Sequence, residues 1–186
     1  MFVSFLTWCA FTDARNGGRN SEAAQKYGYP IGTWNVSAVT DFKKLFFGNI
    51  YFNEDISDWD MSNAEFTYDM FRAASSFNQP IGKWTVSKVR LMSDMFRDAR
   101  EFNQPLDNWD LDPSVGDAQR GRIMDRMFLG ASSFNQDLCS WNAWLHRAQS
   151  AKELFEGSSC PVTSDPVVGT SPETWAPFCR VCDANI

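Results

Sequence analysis

Chemistry in this sequence would have to come from its cysteines, its carboxylates or its one histidine. Cys139, Cys160, Cys179 and Cys182 all fall in the last third of the chain, where four thiols can make two disulfides or one tetrahedral zinc site. Zinc calls for two closely spaced pairs, and only Cys179-Arg180-Val181-Cys182 has that spacing, so disulfides are the favoured reading, with free thiols as the other alternative. Of the three connectivities, Cys139 with Cys160 plus Cys179 with Cys182 is slightly preferred, though spacing does not decide between them. Cys9 is left over, as a buried thiol or an intermolecular link. Disulfides place the chain in an oxidising compartment, outside the cell or on its surface.

His146 stands without a second histidine or a nucleophile motif, so it reads as a surface or capping residue. No G-x-S-x-G, H-E-x-x-H, phosphate-binding glycine loop or dinucleotide fingerprint occurs. Carboxylates pair at Glu54-Asp55 and at Asp58 and Asp60, yet charge clusters on a repeat surface are usually solvated faces, and general acid–base work is the weaker reading. The chain is therefore expected not to be an enzyme and to need no cofactor. An enzyme using carboxylates on a concave face is the least favoured of three functional readings.

The elements that would position these residues follow from composition and repetition. Of the 186 residues 44% are apolar, enough for a substantial core, and 16 Phe and 8 Trp against 4 Tyr point to a few bulky types used repeatedly. A formal charge of −6 argues against nucleic acid and anionic membranes, which need clustered Lys and Arg. No apolar run is long enough for a membrane span. The apolar opening Met1 to Phe11 lacks a basic n-region, and Leu6-Thr7-Trp8-Cys9 has Trp8 where a lipoprotein box wants a small residue, so neither a signal peptide nor a lipid anchor is the expected reading.

Trp34, Trp59, Trp84 and Trp109 recur every 25 residues and Trp141 follows 32 later; Phe46, Phe71, Phe96, Phe128 and Phe155 track them, as do Phe-Asn pairs at 52, 77, 102 and 134. The units are 28–51, 52–76, 77–101, 102–133 and 134–159, with about seven extra residues at Pro113 to Gly121 that predict a loop excursion. Trp84-Thr85-Val86 alternates like a short strand, whereas Val89, Met92, Met95 and Phe96 have the spacing of one helical face. Ser37, Ser62 and Ser87 precede that stripe as N-caps, and Ser62 with Glu65 makes a capping box.

Each unit is thus predicted to be one strand plus a short helix, stacked with its neighbours into an α/β solenoid. Strands stack about 4.8 Å apart and helices about 8–10 Å, which predicts a leucine-rich-repeat-like right-handed horseshoe with a parallel sheet on its concave side. Asn53, Asn78, Asn103 and Asn135 are expected to bond to the backbone of adjacent turns. With each Trp inward, two polar columns face out. One runs Thr33, Asp58, Lys83, Asn108, Ser140 and the other Asn35, Asp60, Thr85, Asp110, Asn142. The plain reading is that any exposed face is polar. The functional reading makes Asn35, Asp58, Asp60, Lys83, Thr85, Asn108, Asp110 and Asn142 a ligand surface for a protein or peptide, with Ca²⁺ held by the hard oxygens of Asp58, Asp60 and Asp110 or a glycan as other ligands. Aromatic residues for sugar stacking are missing from these columns, which makes the glycan the weaker version.

FNQPIGKWTVSKVRLMSDMF from Phe77 and ASSFNQDLCSW from Ala131 resemble the repeat of about 26 residues in the BspA-like leucine-rich-repeat group of bacterial surface proteins. The likeness covers about Gly28 to Ser159, and the Cys-containing tail is similar to the ends of algal and protist members. It implies a secreted or cell-surface protein with interaction or adhesion roles and carries over no catalytic residue.

A repeat stack exposes its core at both ends unless capped, so 1–27 is read as an N-terminal cap, with Phe5, Leu6, Cys9 and Ala10 on one helical face, and 160–186 as an irregular Cys-containing C-terminal cap. The expected function is a non-enzymatic extracellular or cell-surface interaction module. The alternative is a structural subunit docked within a larger assembly through its end edges.

Overall fold

The computed structural model describes residues 28–111, 123–141 and 148–166 together with Cys179. The expected caps at 1–27 and over most of 160–186, the excursion at 113–121, and Cys9, Asn142, His146 and Cys182 lie outside these residues.

The repeats do stack, but not as strands and helices. Among the described residues the only helical elements are two single 3₁₀ turns, Ile31–Thr33 and Cys139–Trp141. Coil meets coil in one row of isolated parallel bridges that links Asp41, Phe66, Leu91, Ile123 and Ser150. The horseshoe of strand-plus-helix coils with a concave parallel sheet is therefore corrected to a stack of coils made of turns. Its units still have a common core, in which the Phe, Trp and Met columns are nearly all buried.

The segment that reads as helix shows why. In the second coil the amides of Thr67, Asp69, Phe71 and Ala73 donate to the carbonyls of Leu91, Ser93, Met95 and Arg97 in the next coil, at 2.7–3.0 Å. The amides between them, Met70, Arg72 and Ala74, turn back three residues to Thr67, Asp69 and Phe71. An α-helix would keep every amide within its own segment, four residues back. Here alternate amides leave the coil, so each repeat contributes a ribbon of consecutive turns that is hydrogen-bonded along the stack.

Such alternation requires left-handed residues at fixed places. Positive φ recurs at Lys44, Asp69, Asp94, Arg126 and Glu153, and four residues later at Gly48, Ala73, Asp98, Gly130 and Gly157. Glycine takes this conformation freely and Asp more readily than most residues, so the second column is Gly in three of its five coils. The apolar spacing that suggests a helix serves the ribbon instead: Val89, Met92, Met95 and Phe96 are all buried. Among the described residues no helix exists for Ser37 or Ser62 to cap; their amides instead close turns by donating to Asn35 Oδ1 and Asp60 Oδ1, at 3.1 and 3.0 Å.

Around each Trp the inward–outward alternation holds without a strand. Trp84 and Val86 are buried and Thr85 is exposed, but the chain turns on both sides, with Trp84 N–H donating to Ile81 and Val89 N–H to Val86. The bond between coils at this place is made by a side chain. The indole N–H groups of Trp59, Trp84, Trp109 and Trp141 donate to the carbonyls of Ile31, Ile56, Ile81 and Leu106 in the preceding coil, at 2.9–3.1 Å.

A second side-chain ladder runs along the Asn column. Asn53 Oδ1 accepts from the amide of Asn78 (2.9 Å) and from Gln79 Nε2 (2.8 Å), and Asn78 and Asn103 repeat both bonds one coil on. The bonding of these Asn residues to the backbone of adjacent turns is thus observed. Between the ladders the rings stack at similar intervals: 5.5–5.7 Å along Phe46, Phe71, Phe96, Phe128 and Phe155, and 5.6–6.0 Å along Phe52, Phe77, Phe102 and Phe134. With no helix layer, the wider spacing that predicted curvature has no source.

The extra residues of the fourth unit leave the register intact. Leu91 bridges Ile123 across 32 positions just as Phe66 bridges Leu91 across 25, and the amides of Met92, Asp94, Phe96 and Asp98 reach Ile123, Asp125, Met127 and Leu129 as usual. Close approach between coils leaves no room for a Cβ at Gly32 or at Gly82, where one would lie 2.3 Å from the Asp55 and 2.6 Å from the Pro105 carbonyl oxygen. Gly82→Ala must push backbone apart and is expected to cost about 1–3 kcal/mol, as overpacking does. Chemical denaturation of the variant checks this.

Candidate functional site

The turns beside each Trp place the candidate ligand residues. Asp58, Lys83 and Asn108, just before the indoles, are exposed, as are Asn35, Asp60, Thr85 and Asp110 just after them. Because Trp59, Trp84 and Trp109 all point inward from the same position of successive coils, the flanking side chains fall into two parallel outward rows. Those rows lie on a surface of turns rather than on a sheet. Asn142 falls outside the described residues.

Part of this row has structural work. Asp60 Oδ1 accepts from the Ser62 amide, and this hydrogen bonding with Ser62 holds its carboxyl below the usual range. Asn35 closes the same turn in the first coil, bonding the amide and hydroxyl of Ser37 at 3.1 and 2.7 Å. The Asp55 carboxyl is lowered likewise by Ser57. Asp60 and Asp110 stand two coils apart with Thr85 between them, roughly 10 Å at the usual spacing of about 4.8 Å per coil. Among the described residues no three His, Cys, Asp or Glu side chains group closely enough to hold a metal ion, so a Ca²⁺ site built on Asp58, Asp60 and Asp110 together has no geometry to carry it.

Sequence reasoning missed the charges of the ribbon. Asp94 is 7% exposed and its carboxylate receives Arg126 through two bonds of 3.1 Å and Arg97 through a third of 3.1 Å. That compensates a buried charge. One coil earlier Asp69 pairs with Arg72 at 3.1 Å, with Lys44 4.0 Å away. Glu65 pairs with Arg90, whose guanidinium lies 5.3 Å from the Phe66 ring centre. These positions were not singled out from the sequence; their recurrence at one repeat position, Asp69 with Arg72 and Asp94 with Arg97, was the available signal.

The cysteines divide differently from expectation. Cys160 is bonded to Cys179, with Cα atoms 4.7 Å apart, which overturns the preferred pairs Cys139–Cys160 and Cys179–Cys182. Cys139 is also in disulfide form. Around the Cys160–Cys179 bond the chain closes over the last coil: the Val162 amide donates to the Cys179 carbonyl, and Asp165 Oδ1 accepts from the Leu154 amide at 3.1 Å. These contacts, with Phe155 and Leu154 fully buried, give this part of the tail a capping role.

Fold and surface together define a tandem-repeat protein that displays rows of short polar side chains. The family described as "Mycoplasma protein of unknown function, DUF285" matches residues 19–120 and 114–161, and the chain belongs to that family. No curated protein and no solved structure matches it.

Proposed function

We propose that this chain is a non-enzymatic interaction module that binds a protein partner through the two outward rows beside the Trp column. The observation that carries the reading is the pair of exposed rows, Asp58, Lys83, Asn108 and Asn35, Asp60, Thr85, Asp110, held in register by a buried core. Side chains repeating at coil spacing can engage an extended segment at several points. The rows have three Asp and one Lys on a chain of net charge −6, which favours a cationic partner. The Cys160–Cys179 disulfide supports an extracellular or cell-surface location, in keeping with the BspA-like resemblance of the repeat.

Replacing Asp58, Asp60 and Asp110 together with Asn tests the reading. Folding should survive, because Asn35 already makes in the first coil the turn bond that Asp60 makes in the second. Binding to lysine-rich peptides should weaken, and the loss should shrink with added salt, since exposed charges are screened over about 10 Å at 0.1 M salt. Unchanged affinity in the triple variant, with binding abolished by a change in the 113–121 segment, would move the function to that segment.

A further inference from the structure

The ribbon has a direction, and among the described residues backbone groups are left unpaired at both of its ends. Within the ribbon each of the four steps between coils has four bonds of the same register in which the earlier coil supplies the amide and the later one the carbonyl; bonds of the opposite sense, such as Glu65 N–H to Thr40 and Ser76 N–H to Ile50, flank them in the first three steps. The first coil therefore ends the ladder with carbonyls, those of Asp41, Lys43, Leu45 and Phe47. Among the described residues nothing donates to them. The fifth coil ends it with amides, and those of Ala151, Glu153 and Gly157 find no acceptor among the described residues. In three rows, Asp41 with Ala151, Lys43 with Glu153 and Phe47 with Gly157, the group at one end is the partner of the group at the other.

Exposure separates these edges from the core behind them. Phe46 and Phe155, at the two ends of the ring column, are 2% and 0% exposed, so the core is covered at both ends. The ribbon is not. Lys43, Lys44, Phe47 and Gly48 in the first coil are all exposed, as are Lys152, Glu153, Glu156 and Gly157 in the fifth, whereas the same four positions in the three coils between are buried or half-buried. The first edge also carries exposed apolar side chains, Phe47 at 41%, Ile50 at 47% and Tyr51 at 73%.

We propose that copies of this chain associate head to tail, the open carbonyl edge of the first coil of one copy receiving the amide edge of the fifth coil of another. Charge fits the same register. Within the chain the left-handed column pairs Lys44 with Asp69 and Asp94 with Arg126; a second copy would set Lys44 beside Glu153. Lys152 would meet Lys43, but Lys43 is already neutralised by Asp41 at 2.9 Å. The contact uses two different surfaces and leaves a free edge of each kind after every addition, so it generates an open chain of copies rather than a closed dimer. It uses neither outward row beside the Trp column and stands apart from the proposed partner site.

Sedimentation velocity of the full chain over a range of concentrations tests this. The expected result is a weight-average mass that climbs without a plateau, with Lys44→Glu and Glu153→Lys each associating severalfold more weakly. An equimolar mixture of the two variants should recover association, because every contact between unlike copies then joins opposite charges. Circular dichroism matching that of the unaltered chain establishes that both variants fold. A monomer at every concentration, a plateau at two copies, or a mixture no stronger than either variant alone would each overturn the proposal.

Discussion

Trp84→Ala should lower stability by about 3–5 kcal/mol, the usual cost of truncating a large buried aromatic and leaving a cavity. Trp84 is 2% exposed, lies in the central coil, and packs 6.3 Å from the Phe71 ring centre. Its indole N–H is also the direct bond between coils at this place, donating to Ile56 O at 3.1 Å. Truncation therefore removes ring and bond together and leaves the Ile56 carbonyl with only its bond from the Trp59 amide. Trp84→Phe separates the two effects: it keeps much of the ring and should cost about 0.5–1.5 kcal/mol, the net worth of the one bond lost. Equilibrium denaturation of both variants is the check, and equal stability for all three proteins would remove the Trp ladder from the account.

The second large effect is expected at the C-terminal end. Cys160→Ser with Cys179→Ser opens a loop of sequence separation 19 and should cost about 3 kcal/mol, the scale for a closed loop of this length. The loss should be felt first in the fifth coil, where Leu154 and Phe155 are fully buried and the Leu154 amide relies on Asp165. Hydrogen exchange should accelerate there before it does in the second and third coils. Uniform acceleration through the stack, or none, would show that the disulfide does not hold the cap.

The repeat, its core columns and the outward rows were legible in the sequence, because a fixed period puts like residues in like places whatever the local backbone does. Trp84 inward and Thr85 outward follow from alternation alone. The backbone was not legible from the same pattern. Val89, Met92, Met95 and Phe96 have a helix's apolar spacing, and a ribbon of turns buries the same four residues; periodicity reports which side chains are inside, not which amides bond to which carbonyls. What separates the two folds is the left-handed column. Gly48, Gly130 and Gly157 recur at one repeat position, where a helix gains nothing from glycine. Asp98 at the same position, and Asp69 and Asp94 four residues before that column, add to the signal. The disulfide was legible only as a set of candidates, since pairing depends on how the tail crosses the last coil. The charge pairs of Asp69 and Asp94 were missed because the apolar columns, and not the charged positions between them, were aligned from coil to coil.

A ribbon of turns and a helix differ in where the Phe96 amide sends its hydrogen bond. In the third coil the Phe96 amide donates across to Met127, 31 residues away, while Asp94 and Asp98 on either side have φ of 56° and 58°. Long-range NMR couplings through hydrogen bonds, recorded on isotopically labelled protein, read the acceptor of that amide. The ribbon gives a coupling from Phe96 N–H to the Met127 carbonyl carbon. A coupling to the Met92 carbonyl, four residues back, would restore the helix and contradict it.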